Sequence, residues 1–297
     1  MKIFVTGATG MVGTRALPAL VAAGHEVTAV ARTAAKAELV RSLGAEPVAV
    51  DLFDPAGVEL AVKGHDGVAH LATNIPPMSK AASNGAWATN ERLRREASNL
   101  LVDAALAAGA THYVQESICF PYLDAGDAWI DEDSPIAHDG VFAGAGVAES
   151  AAARFAASGG SAVVLRFAQF HGPGSSHVEA FNALARRRIN PFIGPPEAYT
   201  SFIHADDAGS AVAAALTVES GTYNIADDEP LTRRDAGRAV AEALGVRPPR
   251  TIPGAARAVL PAKAKALMRS LRISNGRFTA ASAWAPAHRS IRGSWAV

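Results

Sequence analysis

The stretch Ile3-Phe4-Val5-Thr6-Gly7-Ala8-Thr9-Gly10-Met11-Val12-Gly13 decides the fold. Its first four residues read as a short buried strand. The alanine-rich run Met11–Ala23 that follows reads as a helix, with Gly24 where a C-cap belongs. Between them the glycines are needed for space and dihedral freedom. A side chain at Gly7 or Gly10 would obstruct the tight turn, or the approach of backbone N–H groups to a pyrophosphate. Gly13 lets the helix pack closely on the sheet, and the helix N-terminus adds a partial positive charge. A glycine triplet alone is weak evidence, but one that leaves a strand and opens a helix in a βαβ unit is the context of a dinucleotide site. Gly7, Thr9, Gly10, Met11, Val12 and Gly13 are therefore expected to hold the cofactor, and no metal site is expected.

The same alternation continues outward. Strands are predicted near Glu26–Ala31, Pro47–Asp51, Gly67–Ala72, His112–Ser117 and Ala162–Phe167, and a helix over Trp87–Ala108 ending at Gly109. Strands alternating with helices imply right-handed crossovers and a parallel sheet covered on both faces. After Phe170 the pattern loosens into turns, helices near Val178–Arg188, Ala205–Val218 and Arg233–Leu244, and a strand at Gly221–Ala226. The expected architecture is α/β: a doubly wound parallel-sheet Rossmann fold over residues 1–170, and a smaller α/β C-terminal substrate lobe over 171–297, partly interleaved with the first.

Composition narrows the setting. The chain has 297 residues, 49% hydrophobic and 19% charged against about 25% in an average domain, so it can bury a full core. Cys119 is the single cysteine, which excludes an internal disulfide and a cysteine-built zinc site. No run approaches the roughly 18 apolar residues of a membrane span, and a strand begins at Lys2. A soluble, cytoplasmic protein is expected.

The end of the second strand addresses the ribose. NAD sites usually carry Asp or Glu there for the 2′-hydroxyl, whereas this chain has Ala31-Arg32-Thr33. A guanidinium suits a 2′-phosphate, so Arg32 favours NADP(H) over NAD(H); the alternative is a solvated surface arginine. Asp51 and Ala72-Thr73 end strands on the side where ligands of open α/β sheets collect.

Taken with Asp51-Leu52, His70-Leu71-Ala72, Asn90, Val114–Ser117, Phe202-Ile203-His204-Ala205-Asp206-Asp207, Tyr223-Asn224-Ile225, Ser274-Asn275 and Trp284-Ala285-Pro286, the glycine motif resembles the extended short-chain dehydrogenase/reductases, the NAD(P)-dependent epimerase/dehydratase group. The resemblance spans nearly the whole chain. It implies that Asp51 and Leu52 flank the adenine, that Ala72 and Thr73 line the cofactor channel, that Asn90 belongs to the same site, and that His204 and Asp207 order the loop before the next helix.

The family's chemistry uses Ser, Tyr and Lys, the lysine lowering a phenol pKa otherwise near 10. Ser117 matches the serine and is expected to polarise a carbonyl. Where the Tyr-x-x-x-Lys pair should open the next helix stands Val141-Phe142-Ala143-Gly144-Ala145-Gly146-Val147-Ala148-Glu149. Phe142 and Gly146 fall nearest the two positions; a shift of one gives Val141 and Ala145. Three readings stay open. Another acid, Tyr122 or His171, replaces the tyrosine, unless these are packed loop residues; or the dinucleotide is sensed without turnover; or the fold serves a non-redox cyclase, isomerase or lyase.

On the substrate side Thr200 stands where nucleotide-sugar relatives carry Arg. Ile75, Pro76, Pro77, Met78, Trp87, Phe120, Phe142 and Phe181 suit a small, largely apolar, carbonyl-bearing ligand, or are ordinary core. The zero net charge hides an asymmetry: residues 243–297 hold ten arginines and lysines and no acid, so the preceding 242 carry a formal −10. The basic end either docks on the acidic surface, within one chain or across a homodimer, or sends Arg269, Arg272 or Arg277 to an anionic substrate group. No nucleic-acid motif accompanies the charge, and neither nucleic acid nor membrane is expected as a partner.

Overall fold

The computed structural model describes residues 1–77, 80, 83, 85–250 and 268–295. The apolar run from Lys2 forms β1 (Lys2–Thr6), and the glycine turn leads into α1 (Gly13–Ala22). There follow β2 (Glu26–Val30), α2 (Ala34–Ser42), β3 (Glu46–Val48), α3 (Pro55–Val62), β4 (Gly67–His70), α4 (Ala88–Arg92), α5 (Ser98–Ala107), β5 (His112–Ile118), β6 (Trp129–Ile130), α6 (Ala143–Ala157) and β7 (Ser161–Phe167). The C-terminal part adds β8 (Gln169–His171), α7 (Ser176–Arg186), β9 (Tyr199–Thr200), β10 (Phe202–His204), α8 (Ala205–Ala214), β11 (Gly221–Ile225), β12 (Leu231–Thr232), α9 (Arg233–Ala243), β13 (Arg272–Ile273) and α10 (Gly276–Ala281).

Seven strands make one parallel sheet in the order β11-β7-β5-β4-β1-β2-β3. β1 lies between β2 and β4, with Ile3 opposite Val27 on one side and Gly67 on the other. The strand order reverses across the β1–β4 pair, so the glycine turn after β1 sits at the topological switch point, where such sheets bind ligands. Side chains alternate to two cores. Ile3 and Val5 join Leu17 and Leu20 of α1 and Val212 of α8 on one face; Phe4 joins Val58, Leu101, Tyr113 and Phe155 on the other. This is the doubly wound α/β architecture that the sequence pattern implies.

One detail departs from the sequence reading. The helix expected over Trp87–Ala108 is interrupted by a π-helical turn at Leu93–Ala97 between α4 and α5. Beyond Phe170 the chain interleaves with the first part: β11 extends the main sheet beside β7, and α8 packs against α1, where a Cβ at Gly209 would fall 2.3 Å from the Cβ of Arg15. The remaining C-terminal elements enclose a third core of Phe181, Phe192, Phe202, Val240 and Trp295, so Phe181 is a core residue. No helix among the described residues is long and apolar enough to cross a membrane.

Candidate functional site

The glycine turn is built around what it lacks. Gly7 has φ +71°, and a Cβ there would lie 2.4 Å from the carbonyl of Leu71 at the end of β4. A Cβ at Gly13 would lie 2.3 Å from the oxygen of Gly7 and 2.6 Å from Cα of Ala8, so this residue closes α1 onto the turn itself. Gly10 meets only the Gly7 oxygen, at 3.2 Å, and its other side is exposed. The N–H groups of Met11 and Val12 find no acceptor among the described residues, and the first turn of α1 carries no acid. Unspent donors beside an open glycine at a helix N-terminus fit a diphosphate.

The other residues expected at the cofactor fall along the same sheet edge. Arg32, just past β2, is exposed and has no polar partner among the described residues. Thr33 beside it caps α2 by accepting from the Lys36 N–H at 3.3 Å, so Lys36 joins Arg32 on a helix start without acids. Asp51 accepts from the Phe53 N–H at 3.0 Å and shapes the turn after β3, with Leu52 buried beneath it. Asn90 is buried, and its Oδ1 accepts from the Asn74 N–H at 3.0 Å, tying α4 to the Ala72-Thr73 segment. Lys36 was not singled out in the sequence; its place in the turn after Arg32 was the available signal. Met78 lies outside the described residues.

The chemical half is arranged differently. Ser117, Tyr122 and His171 are all fully buried. Ser117 donates from Oγ to Glu149 Oε1 at 2.6 Å. Glu149 is gripped on both oxygens by Arg166, through Nε at 2.9 Å and Nη2 at 2.7 Å. Arg166 donates from Nη1 to the Tyr122 hydroxyl at 2.7 Å, and that hydroxyl donates to Asn224 Oδ1 at 2.9 Å. Burial alone would raise the Glu149 carboxyl. The hydrogen bonds from Arg166 and Ser117, the approach of His138 and the Arg166 charge outweigh it and hold the carboxyl at about 2. Tyr122 is pushed well above the ordinary phenol range, first by burial. Ser117 and Tyr122 thus belong to one interior network rather than to an open face, and the Ser117 proton is committed to a carboxylate instead of a substrate carbonyl.

His171 lies apart from them. Its ring stacks on Trp295 at 5.8 Å and meets His204 edge-on at 5.0 Å. Burial, then the neighbouring His204 and His288, lower it to about 3, so it stays neutral and shielded. Asp207 accepts from the Ala287 and His288 N–H groups, each at 2.9 Å, and from His288 Nδ1 at 3.0 Å. His204 Nδ1 accepts from the Asp206 N–H at 3.2 Å. These bonds order the loop and fasten the C-terminal segment. His204, Asp206 and His288 offer nitrogen and oxygen atoms within 4.8 Å of one another, with the two imidazoles stacked at 3.7 Å.

The residues around the end of β5 complete the picture. Phe142 is buried and stacks over Phe120, with ring centres 6.5 Å apart. A Cβ at Gly146 would lie 2.8 Å from Cβ and Cγ of His138, a half-buried residue on the loop ahead of α6. His138 Nε2 is 3.5 Å from Glu149 Oε2. The three tail arginines are occupied: Arg269 on the carbonyls of Pro121 and Tyr122, Arg272 on Asp127 O, Arg277 on Glu132 and Asp133.

Residues 3–226 match the family model described as the NAD dependent epimerase/dehydratase family. The chain belongs to that family. Within this epimerase/dehydratase family it is 33% identical, over 98% of both chains, to a Streptomyces protein named 3-diazoavenalumate denitrifying reductase. Its fold is shared with the UDP-glucose 4-epimerase of Thermus thermophilus, solved with NAD, at TM-score 0.77 and 23% identity over 99% of this chain and 97% of that one. A human epimerase family protein solved with NADPH superposes at TM-score 0.80 and 23% identity, with the same coverage. The matched stretch of this epimerase/dehydratase-family member begins in β1, just ahead of the glycine turn.

Proposed function

We propose that the protein is an NADP(H)-dependent reductase that delivers hydride to a small, largely apolar diazo compound. The observation that carries the reading is the pairing of an intact dinucleotide cradle with an α6 face that has Phe142 and Gly146 where tyrosine and lysine belong. Gly7, Gly10 and Gly13 with the N–H groups of Met11 and Val12 would hold the diphosphate, Arg32 with Lys36 a 2′-phosphate, and Ala72 and Thr73 the channel beyond. A reduced nicotinamide bound there supplies hydride: on a neutral aromatic diazo ketone the hydride pair forms the new C–H bond, dinitrogen leaves with the former C–N pair, and one proton completes the phenol.

The absent tyrosine and lysine favour that substrate over an ordinary carbonyl. Carbonyl reduction builds an alkoxide, which needs a strong, well-placed acid. Loss of dinitrogen leaves a phenolate of pKa about 10, which a weak acid can protonate. The 33% identity to a reductase named for a diazo substrate points the same way.

The test is a fluorescence titration with NADPH and NADH, followed by turnover of an ortho-diazophenol with NADPH deuterated at the transferring position. The expected outcome is tighter binding of NADPH, a preference reduced about tenfold in Arg32→Ala, and deuterium from the coenzyme on the product carbon. Absence of binding to either coenzyme would sink the cofactor assignment. Binding without turnover of the diazophenol or of an aromatic aldehyde would leave a dinucleotide sensor. Aldehyde turnover alone would replace the diazo substrate by a carbonyl.

A further inference from the structure

We propose that His138, aligned by Glu149, exchanges a proton with the substrate in place of the tyrosine that this chain lacks; the inference rests on the reductase reading above. Phe142, Gly146 and Glu149 stand at i, i+4 and i+7, one stripe of α6. That stripe meets the C-terminal end of β5 at both ends, Phe142 over Phe120 and Glu149 on Ser117. In doubly wound sheets this is the ligand side. The middle of the stripe is empty of side chain, and the His138 ring fills the room. With a Cβ at position 146 only 2.8 Å from the ring's Cβ and Cγ, a lysine there and this histidine exclude each other.

Glu149 fixes which nitrogen can act. The carboxylate is held by the two-pronged Arg166 contact and by Ser117, and it can only accept. Its Oε2 lies 3.5 Å from the buried His138 Nε2, beyond a formed hydrogen bond but near enough for its charge to favour a proton on that nitrogen. Nδ1 has no hydrogen-bond partner among the described residues and lies 3.2 Å from where a Cβ at Gly146 would stand, so it is the nitrogen we assign to the ligand. The charged groups around the ring are Glu149, Arg166 behind it, and Asp139 next in the chain. A base oriented by a carboxylate, with its second nitrogen free, is the arrangement of a general acid–base pair. In the step, the Nδ1–H bond of the imidazolium breaks, an O–H bond of the product forms, and the neutral imidazole takes its next proton from water.

The experiment has two arms. In the first, His138→Gly and His138→Gln are assayed with NADPH and the ortho-diazophenol. Since His138 is a half-buried loop residue, both variants are expected to fold, which their melting curves establish. The expected result is kcat lower by about a hundredfold, coenzyme Kd within about twofold, and partial recovery of His138→Gly, but not of His138→Gln, by added imidazole. In the second, the histidine ring resonances of the wild type are titrated with and without NADP+. The cationic ring should move the His138 titration to lower pH if the imidazole borders the coenzyme site. Unchanged kcat in the variants overturns the proposal. If the wild type binds coenzyme but reduces no probe, the reductase reading fails, and the resonance arm decides for His138 alone: an unmoved titration overturns it, a moved one upholds its place at the site.

Discussion

The glycine turn after β1 and the α6 face beside β5 border the same C-terminal edge of one sheet, yet the first is held open by backbone and the second closed by side chains. At the turn, removal of Cβ atoms lets β1, α1 and β4 touch through main chain, and donors such as the Met11 and Val12 N–H groups remain unspent. At α6, Ser117, Glu149, Arg166, Tyr122 and the Oδ1 of Asn224 are joined by hydrogen bonds in the interior. Binding geometry fixed by the main chain tolerates many sequences around it. Chemistry carried by side chains is rewritten by a few substitutions, so a fold can persist while the groups in its site change.

The strongest way to break the comparison is to remove the centre of the closed half. Arg166→Met leaves Glu149 buried without its cation, and the expected loss is about 4 kcal/mol in denaturant unfolding at neutral pH. Adding Glu149→Gln should return most of it, because the uncompensated charge goes too. The sign with pH follows from the depressed carboxyl. With a folded value of about 2 against an ordinary 4.5, Glu149 contributes stability that is complete above about pH 4.5 and is lost as pH falls through 2. The double variant should lack that acid limb; if it keeps it, the network is not what holds Glu149 ionised.

The open half breaks through its main chain. Gly13→Ala puts a methyl 2.3 Å from the Gly7 oxygen, where both neighbours are backbone, so a cost of about 3 kcal/mol and loss of coenzyme binding are expected together. Gly10→Ala meets a single oxygen at 3.2 Å and should separate the two readouts, weakening coenzyme binding while the melting temperature barely moves. Equal destabilisation by both variants would mean that Gly10 is also a packing residue.

Much of this was legible in the sequence because backbone demands leave residue-level marks. The three glycines and the strand-helix alternation need no contact to be read. The interior network left no such mark. Ser117, Tyr122 and His171 are residue types that serve equally as donors in a cleft or as partners in a core, and only the pairing of Glu149 with Arg166 across α6 and β7 shows which. His138 was invisible for the same reason: its position depends on the missing side chain of Gly146, a contact between a loop and a helix. The charge asymmetry was visible as a number, but its use was not. In the structure Arg277 reaches Glu132 and Asp133, Arg289 reaches Asp228 and Arg292 reaches Glu229, so these three arginines dock on acids of the same chain.

Asp227 tests the closed half from another side. It follows β11, is 1% exposed, and neither oxygen has a close hydrogen-bond partner among the described residues. Burial, with Asp228, Glu229 and Asp207 nearby, outweighs the weak pull of the Glu229 N–H and pushes its carboxyl up to about 9. An acid raised in the folded state makes stability fall as pH climbs from its ordinary value of 3.8 toward 9. Asp227→Asn should therefore raise stability at pH 8 by at least about 1 kcal/mol, the worth of one pKa unit. It should change little at pH 4, and a constant gain at both would assign the effect to packing.

The smallest effect belongs to the tail. Arg277 pairs with Glu132 at 3.2 Å and with Asp133 at 2.5 Å, but its own side chain is 40% exposed, so solvent and salt screen most of the attraction. Arg277→Gln is expected to cost about 0.5 kcal/mol at low salt, a drop of roughly 1–2 °C in melting temperature that shrinks as salt is added. The substrate KM should not move, because the guanidinium is engaged with the chain's own acids. A KM that rises severalfold with unchanged melting would instead place this arginine at the ligand, and would make the contact with the acidic loop the competitor that a substrate anion displaces.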